Sequence, residues 1–290
     1  MPAALKVTPT GAALGAFVTG VDLSQPLDAA TVAAIRKAWL DHLVLAFPDQ
    51  PMSHADLERF TEYFGPFGDD PFITPLPDHP HIIEVRRDAD ETAPVFAAAW
   101  HSDWSFQDVP PAGTVLHSKI VPPAGGDTLF ANGYAAYEAL SDELKQRIEP
   151  LQAVHSAALA YAPEGVYGEN DAADRSMTIR PSAEARSMRT HPVVRVHPET
   201  GRKTLFVNPG YVRTIEGLSD EEAFTLLVQL YETAHDERFV YRHQWEPDML
   251  VMWDNRCTQH MATGGYDGHA RLLHRTTIAD APPERDAKAA

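Results

Sequence analysis

Short runs of apolar residues, many with alternating polar positions, recur along most of the chain and predict strands. Alternation indicates a half-buried strand, because successive side chains point to opposite faces, whereas a short continuous apolar run indicates a strand buried on both faces. Turn residues separate these runs, which is typical of a mainly β fold. The predicted strands are Leu5–Val7, Ala16–Val21, Leu43–Phe47, His81–Arg86, Thr114–Val121, Leu151–Ser156, Val193–Val196, Thr204–Val207, Arg238–Arg242, Met249–Trp253 and Arg271–Ile278.

Helical periodicity occurs at three places. Asp28–Trp39 carries apolar residues at helical spacing, and Ser53 can cap a second helix whose apolar face ends at Phe64. Ser219 and Glu222 form a capping box that precedes a third apolar helical face. Many strands with few helices predict a mainly β fold with flanking helices, either a β-sandwich or a jelly roll.

Two stretches are predicted to be long loops. Asp69–Pro80 is rich in proline and aspartate, and Tyr161–Thr190 is polar with little periodicity. Loops of this length in a compact domain are often lids or binding loops, so both are candidate lids, with a mobile surface loop as the alternative. His197–Arg202 predicts a hairpin connection, and Asp280–Ala290 a frayed, charged tail. We predict a single domain over residues 1–290, with its core at about residues 5–280.

Composition narrows the classes of partner. The chain has 290 residues, 44% of them hydrophobic, and a formal net charge of −17. Such an acidic chain without a basic run is a poor partner for nucleic acid or an anionic membrane, so an anionic substrate would need a locally positive pocket. Cys257 is the only cysteine, which excludes an intrachain disulfide and a multi-cysteine zinc site. Without an apolar leader or a long apolar run, we expect a cytoplasmic protein, where reducing conditions favour Fe(II).

Candidate chemistry centres on His101, Asp103 and the distant His260. Two histidines and one carboxylate are the facial triad that holds non-heme Fe(II) and leaves positions open for a co-substrate and O2. If residues 101–103 form a strand, His101 and Asp103 share a face. His260 follows a predicted strand, Met249–Trp253, and a short loop, and loops on a rigid scaffold commonly carry functional groups. The alternatives are ordinary polar residues, since the chain has 14 histidines, and a zinc hydrolase with the same ligands.

Arg271 and Arg275 are predicted to lie on one face of a strand, with Leu273 between them. Two arginines on an apolar face are costly to bury without anionic partners, and the guanidinium fork suits carboxylates and similar oxyanions. The pattern therefore predicts anion binding, with surface arginines or salt-bridge partners as the alternative. Gly125-Gly126-Asp127-Thr128 lacks the lysine and the spacing of a phosphate-binding loop.

Several motifs together carry a resemblance that covers nearly the whole chain, from about Val7 to Pro282. They are Trp100-His101-Ser102-Asp103, Gly125-Gly126-Asp127-Thr128-Leu129, Ala136-Tyr137-Glu138-Ala139-Leu140, His191-Pro192-Val193-Val194-Arg195, Leu205-Phe206-Val207-Asn208 and Trp253-Asp254-Asn255-Arg256. With these motifs the chain resembles the taurine dioxygenase and aryloxyalkanoate dioxygenase family of Fe(II)/2-oxoglutarate enzymes.

The resemblance implies a double-stranded β-helix, or jelly-roll, core that is cupin-like. It also implies an oxidoreductase that uses Fe(II), with 2-oxoglutarate and O2 as co-substrates. His101, Asp103 and His260 would be the iron ligands and thus the catalytic residues. Thr128 would contact the 2-oxoglutarate carboxylate near the iron, and Arg271 would grip the distal carboxylate.

For the prime substrate, the resemblance assigns Arg275 to an anionic group and Phe206 to an aromatic wall of the pocket. Where taurine-specific members carry a histidine and an asparagine, this chain has Asp70 and Ala97, which argues against taurine itself. Asp70 could instead bind a substrate amine, or it could be solvated.

The predicted reaction is hydroxylation of a small anionic substrate next to a heteroatom, giving succinate and CO2. The substrate classes are an alkyl sulfonate, an alkyl sulfate ester or an aryloxy acid. The intact carboxylate of Asp103 favours hydroxylation over halogenation. The alternatives are hydroxylation of a free acid or amino acid without fragmentation, and a non-catalytic jelly roll that binds metal. The resemblance also implies a homo-oligomer, a dimer or tetramer, and no nucleic acid or membrane partner is expected.

Overall fold

The computed structural model describes residues 5–168, 171 and 175–280. Within them the chain forms sixteen β-strands and six α-helices, with 3-10 turns at Ala183–Arg186 and Glu237–Phe239. In chain order the elements are β1 (Lys6–Pro9), β2 (Ala16–Thr19), α1 (Ala29–His42), β3 (Val44–Phe47), α2 (His54–Glu62), β4 (Pro75–Leu76), β5 (His79–Arg87), β6 (Gly113–Ile120), β7 (Thr128–Asn132), α3 (Gly133–Ala139), α4 (Asp142–Ile148), β8 (Gln152–Ser156), α5 (Ala158–Tyr161), β9 (Met188–Pro192), β10 (Val194–Val196), β11 (Lys203–Leu205), β12 (Val212–Ile215), α6 (Asp220–Ala234), β13 (Val240–His243), β14 (Leu250–Asp254), β15 (Thr258–Ala262) and β16 (Arg271–Ile278).

Eight strands form one large sheet in the order β1-β2-β3-β14-β6-β16-β5-β4. Neighbouring strands are antiparallel except β2 and β3, which run parallel. The C-terminal strands β14 and β16 flank β6 from the first half of the chain, so residues far apart in sequence meet at the centre of this sheet.

Three smaller sheets accompany it, in the orders β13-β7-β15, β12-β8-β9 and β10-β11. One apolar cluster joins the large sheet to the sheet β13-β7-β15. It includes Leu116, Val251 and Leu273 from the large sheet and Phe130 and Tyr241 from the smaller one. Two antiparallel sheets therefore pack face to face over a shared core, which is how a β-sandwich buries its inner faces.

Helices α1 and α2 cover the other face of the large sheet. Ile35 and Trp39 of α1 and Leu57 and Phe60 of α2 are buried in one cluster with residues of β6 and β14. The cap predicted at Ser53 is confirmed, because Ser53 begins a capping box, and Asp28 caps α1 by accepting the backbone N–H of Thr31. The capping box at Ser219 and Glu222 likewise begins α6.

All predicted strands overlap an observed strand, but several observed strands were not predicted, among them β7, β12 and β15. β15 has the sequence Thr-Gln-His-Met-Ala, whose first three residues are polar and yet buried. The side chain of Gln259 can be buried because it forms hydrogen bonds to the Val207 carbonyl and to His235. Buried polar residues give no apolar alternation, so the sequence pattern did not predict this strand.

The two predicted loops are only partly irregular. Asp69–Pro80 contains β4 and the start of β5, and Tyr161–Thr190 contains a 3-10 turn and the start of β9. Residues 169, 170 and 172–174 of the second loop, and 281–290 of the predicted tail, lie outside the described residues. In the described part of the chain, no helix combines the length and apolarity required to cross a bilayer.

Candidate metal centre

His101 and His260 lie opposite each other and are joined through their backbones. The N–H of His101 donates to the carbonyl of His260 at 3.0 Å, and the reverse hydrogen bond measures 2.8 Å. Residues 101–103 do not form a strand: His101 forms an isolated bridge, and a turn follows it in which Trp104 has φ 47°. As predicted, His260 follows a strand and a short loop, and it lies within β15. Asp103 still reaches the same point as the histidines, because the turn folds it back.

The donor atoms of His101, Asp103 and His260 all lie within 4.8 Å of one another. The Oδ1 atom of Asp103 is 3.6 Å from Nε2 of His101 and 3.9 Å from Nε2 of His260. Two donors at right angles, each about 2.1 Å from a shared ion, would be about 3 Å apart, so a small inward movement suffices to bind one. All three side chains are buried.

Each of the two imidazoles has a nitrogen available for a metal. Nδ1 of His101 lies 2.8 Å from the carbonyl of Ala99; a carbonyl only accepts, so Nδ1 carries the proton and Nε2 keeps its lone pair. Burial, reinforced by His101, lowers the pKa of His260 to about 3 despite the opposing effect of Asp103, which keeps its imidazole neutral. This donor set fits a divalent ion that prefers imidazole and carboxylate ligands.

A chain of hydrogen bonds fixes the second oxygen of Asp103. The hydroxyl of Thr114 donates to Oδ2 of Asp103 at 2.7 Å, and the side-chain amide of Asn255 donates to that hydroxyl at 2.8 Å. The indole of Trp253 donates in turn to the Asn255 side chain at 2.9 Å. Oδ1 is therefore the oxygen aimed at the histidines. Sequence reasoning missed Thr114 and the role of Asn255, although Asn255 lies in a motif it singled out.

Arg275 is also buried here, and it has anionic partners. Its Nη1 lies 3.5 Å from Oδ1 of Asp103, and its Nη2 forms an ion pair with Asp70. Burial alone would lower the pKa of Arg275, but Asp70 and Asp103 outweigh burial and raise it. Burial would raise the pKa of Asp103, but the neighbouring His260, Arg275 and His101 outweigh burial and lower that pKa.

Arg271 lies four residues before Arg275 on β16. It has no carboxylate partner of its own among the described residues. Its guanidinium lies 5.9 Å from the ring centroid of Trp245, and burial lowers its pKa to about 10, partly offset by Tyr266 and Asp127. An unpaired buried cation is unfavourable, which makes this position a candidate anion site.

Thr128 contacts Trp245, which lies beside Arg271, and belongs to the same sheet as His260. The hydroxyl oxygen of Thr128 accepts the indole N–H of Trp245 at 3.0 Å, which leaves the hydroxyl proton free to donate elsewhere. Phe130 pairs directly with His260 in the sheet, and Thr128 lies two residues before Phe130, so Thr128 and His260 share a face.

The Gly-Gly turn before β7 packs closely on the neighbouring elements. Gly125 has φ +75°, and a Cβ there would lie 2.4 Å from the carbonyl oxygen of Gly265. A Cβ on Gly126 would lie 3.2 Å from the side chain of Arg271. Glycine at these positions permits both the left-handed backbone and the close approach to Arg271.

A cavity of about 400 Å³ opens onto His101, Asp103 and Arg275. Its remaining wall is mostly apolar or aromatic, a composition that suits an organic ligand. The wall includes Pro94, Val95, Phe96, Ala97, Trp104, Leu159, Tyr161, Val166, Tyr167, Gly210 and Tyr211. Most of these residues lie outside regular strands, so the strand pattern did not predict them. Tyr161, Val166 and Tyr167 lie in the predicted loop Tyr161–Thr190, a candidate lid, and Ala97 is the position at which taurine-specific relatives carry an asparagine.

Two predicted substrate residues do not line this cavity. Phe206 stacks on the ring of His155 with centroids 5.6 Å apart and lies beneath the guanidinium of Arg195, 4.4 Å from its ring centroid. It lines a separate, much smaller space with Ser102 and Asn255. The carboxylate of Asp70 lies behind Arg275 and Trp104, which form part of the cavity wall.

A second cluster, His197, Asp254 and Cys257, also has its donor atoms within 4.8 Å. Arg256 donates to both oxygens of Asp254, at 2.9 and 2.7 Å. Nδ1 of His197 accepts backbone N–H groups at 3.2 Å, so its Nε2 carries the proton and donates to Asp254 at 3.0 Å. Burial, with the charge of Asp254, raises the pKa of the Cys257 thiol. This cluster is occupied by internal bonds.

Comparison with known proteins gives consistent matches over nearly the whole chain. The model of the family described as "Taurine catabolism dioxygenase TauD, TfdA family" matches residues 6–277. The chain is 35% identical to the (S)-phenoxypropionate/alpha-ketoglutarate-dioxygenase of Sphingobium herbicidovorans, covering 100% of both chains, and 35% identical to the alkylsulfatase of Acinetobacter baylyi, covering 92% of this chain and 82% of that one. It also resembles the crystal structure of a taurine dioxygenase from Burkholderia xenovorans, with a TM-score of 0.80, 31% identity and coverage of 96% and 91%.

Proposed function

This chain belongs to the taurine catabolism dioxygenase TauD, TfdA family, and on that premise we propose that it is an Fe(II)- and 2-oxoglutarate-dependent dioxygenase. It hydroxylates a small anionic substrate next to a heteroatom and converts 2-oxoglutarate to succinate and CO2. The reaction balances as one O2 consumed, with one oxygen atom entering the substrate and the other entering succinate.

One observation carries this proposal: Arg271, a buried arginine that has no carboxylate partner of its own in the described part of the chain, accompanies an open set of three metal donors. In the proposal, His101, Asp103 and His260 hold Fe(II). The bound ion would supply the redox chemistry by which O2 oxidises the substrate. Arg271 binds the distal carboxylate of 2-oxoglutarate, and the free hydroxyl proton of Thr128 binds the other carboxylate. A metal-binding but non-catalytic protein would have no use for an unpaired buried cation.

The chain's own contribution is to orient the reactants and exclude water. Thr114 and Asn255 hold Asp103 in one orientation, so its Oδ1 faces the histidines before any ligand arrives. The aromatic and aliphatic cavity wall removes water from the substrate's reacting carbon. Arg275 provides the positive charge for the substrate's anionic group, the head group, at the end of the cavity nearest Asp103.

The cavity supports a head group attached to an apolar body. Leu159 and Val166 line the cavity and are 57% and 62% exposed, so the apolar wall continues outward. One relative named above is called a phenoxypropionate dioxygenase and another an alkylsulfatase. We therefore propose an alkyl sulfate ester or an aryloxy acid as the substrate class, ahead of an alkyl sulfonate. Hydroxylation beside the ether or ester oxygen would release a phenol or sulfate.

A second candidate function is hydroxylation of a free acid or amino acid without fragmentation. The pairing of Asp70 with Arg275 favours it, because a cation that is already neutralised attracts a strong anion less. We also propose that the two face-to-face antiparallel sheets form a double-stranded β-helix core within one domain, an arrangement supported by their shared apolar cluster.

The proposal is tested by O2 consumption of the Fe(II)-loaded protein with 2-oxoglutarate, across alkyl sulfates, aryloxy acids, alkyl sulfonates and amino acids. Stimulated uptake, one succinate per O2 and release of sulfate or a phenol are expected. Stimulated uptake with a hydroxylated but intact product would select the second candidate. No succinate from 2-oxoglutarate under any condition would overturn the proposal.

The assignment of Arg271 has its own test. Arg271→Leu should raise the dissociation constant for 2-oxoglutarate about 100-fold, because two charge-assisted hydrogen bonds are lost. It is measured by anaerobic calorimetric titration of the metal-loaded protein. Arg238→Leu is the control, since it removes an exposed arginine that pairs with Asp236. Unchanged affinity in Arg271→Leu would remove this residue from the co-substrate site.

A further inference from the structure

Asp70 holds two residues of the cavity wall at once. Its Oδ1 accepts the indole N–H of Trp104 at 2.8 Å and also pairs with Nη2 of Arg275. Its Oδ2 lies 3.4 Å from the hydroxyl of Thr277. Trp104 and Arg275 line the cavity, whereas Asp70 lies behind them. The carboxylate therefore acts on a ligand in the cavity through these two side chains.

The two residues that Asp70 holds also contact each other. The guanidinium of Arg275 lies 4.9 Å from the ring centroid of Trp104. Trp104 has a positive φ of 47°, which is uncommon for a bulky residue, so its indole depends on tertiary contacts for its orientation. Loss of Asp70 would release both the indole and the guanidinium.

The charge of Asp70 has a second consequence. Asp103, the other carboxylate near Arg275, is the proposed metal ligand, so a bound ion would take most of its charge. Asp70 would then be the main counter-ion of Arg275. At the effective dielectric constant of a partly buried site, a carboxylate about 6 Å from a bound anion opposes it by a factor of about 10 to 100 in affinity.

We propose that Asp70 is a positioning residue that sets head-group selectivity: it fixes Trp104 and Arg275 in the cavity wall, and its charge reduces the preference for an anion over an uncharged molecule of the same shape. This inference rests on the proposed function for two statements, that the substrate occupies this cavity and that Asp103 is a ligand of the metal.

Asparagine at this position separates charge from geometry. In Asp70→Asn, the remaining oxygen can still accept from Trp104 and Arg275, and the new amide can donate to Thr277, so the bonding pattern is kept while the charge is lost. Asp70→Ala removes both. Asp41→Asn is the matched control, because Asp41 pairs with Lys37 in an exposed ion pair and its substitution changes the net charge by the same amount.

The experiment titrates two probes of one shape, 3-phenylpropionate and its neutral amide, into the anaerobic protein loaded with Fe(II) and 2-oxoglutarate, and measures the ratio of their dissociation constants. Asp70→Asn should shift this ratio about 10- to 100-fold towards the anion, with the affinity for the amide changed less than about threefold. Asp41→Asn should leave the ratio within about twofold of wild type. In Asp70→Ala both probes should bind more weakly, while the ratio still shifts towards the anion.

A ratio that stays within about threefold of wild type in both Asp70 variants, or that moves towards the amide, would overturn the proposal. Equal weakening of both probes in Asp70→Asn would do the same, because it would reduce Asp70 to a structural role. The titrations are repeated without Fe(II) and 2-oxoglutarate, and the binding of 2-oxoglutarate is measured separately. A shifted ratio in a protein that binds no 2-oxoglutarate would sustain this inference and reject the proposed function.

Discussion

Two clusters in the interior bring a histidine and an aspartate within reach of one ion, and they differ in how their donor atoms are used. In the cluster at the cavity, His101 has a free ring nitrogen, Oδ1 of Asp103 is directed by Thr114, and an open space of about 400 Å³ adjoins them. In the cluster around Asp254, both carboxylate oxygens accept from Arg256, and the proton on Nε2 of His197 points at the carboxylate.

The comparison teaches that residue type and proximity do not define a metal site. A ligand needs a lone pair that no internal hydrogen bond claims, and the ion needs a path to it. Where every donor is occupied, a buried His–Asp–Arg group instead joins elements: Asp254 ends β14, and His197 and Glu199 belong to the β10–β11 hairpin. The two clusters should therefore fail in different ways when they are mutated.

The largest expected difference is in metal binding. Asp103→Ala removes one of three donors and should lower Fe(II) affinity by more than the 10- to 100-fold that loss of an outer hydrogen-bond partner causes, so that turnover disappears. Anaerobic Fe(II) titration and succinate formation measure both effects. Wild-type turnover in this variant would exclude Asp103 as a ligand.

Asp254→Ala should act on stability instead. It leaves Arg256 as a buried cation with fewer partners and should cost about 3–5 kcal/mol of unfolding free energy, while Fe(II) affinity per folded molecule stays at the wild-type value. Denaturant unfolding measures the loss. Lower Fe(II) affinity in the folded fraction would contradict the division between the clusters.

The same cluster predicts a pH dependence. Burial would raise the pKa of Asp254, but Arg256 and His197 lower it from 3.8 to about 2. Because the folded-state pKa is depressed, the stabilisation is complete above about pH 4 and is lost as the pH falls towards 2. Asp254→Asn should remove this part of the acid sensitivity, and urea unfolding between pH 2 and 5 would show it as a flatter profile.

A smaller effect is expected from Thr114→Val, which keeps the shape of the side chain but removes the hydrogen bond to Asp103. Fe(II) affinity should fall about 10- to 100-fold. The control is Thr276→Val. It removes a buried hydroxyl on the same large sheet, which forms a hydrogen bond with Thr61 of α2. Thr114→Val loses the hydrogen bonds to Asp103 and from Asn255, and Thr276→Val loses the one with Thr61, so equal Fe(II) affinities would show that Thr114 does not orient the carboxylate.

The smallest expected effect is at Cys257. If the cluster around Asp254 were open to a metal, the thiol of Cys257 would also be open to reagents. Because its thiol is buried and its pKa is raised, the native protein should react with a disulfide reagent at pH 8 far more slowly than the unfolded chain, where this single cysteine is exposed. Fast reaction of the native protein would show that the second cluster is accessible.

Sequence reasoning predicted that the three donors of the first cluster converge, and it missed the groups that hold them. The predicted convergence of His101, Asp103 and His260 is observed, but a bridge and a turn produce it where a strand had been assumed. The same-face placement of Arg271 and Arg275 followed from strand periodicity, and β16 has the predicted bounds. The opposite electrostatic states of the two arginines could not be predicted, because they depend on which carboxylates the folded chain places beside each.

The residues that hold Asp103 in place and those that line the cavity form no local pattern in the sequence. Thr114 and Asn255 are small polar residues that hydrogen-bond to each other and lie 141 residues apart in the chain, so no window of sequence contains the pair. Tyr211 and Phe96 lie outside the strands and join the wall only after the sheets pack. Phe206 belongs to a matching motif and still points elsewhere, since its ring is taken by His155 and Arg195.

The backbone pairing of His101 with His260 also has a consequence for biosynthesis. A ribosome that adds about 5–20 residues per second would release His260 roughly 10–30 s after His101, with Arg271 and Arg275 later still. Until then a nascent chain has two of the three donors and no arginine at the co-substrate position. Iron loading is therefore an event of the finished polypeptide, and a product truncated before residue 260 cannot assemble the complete site or sequester iron in it.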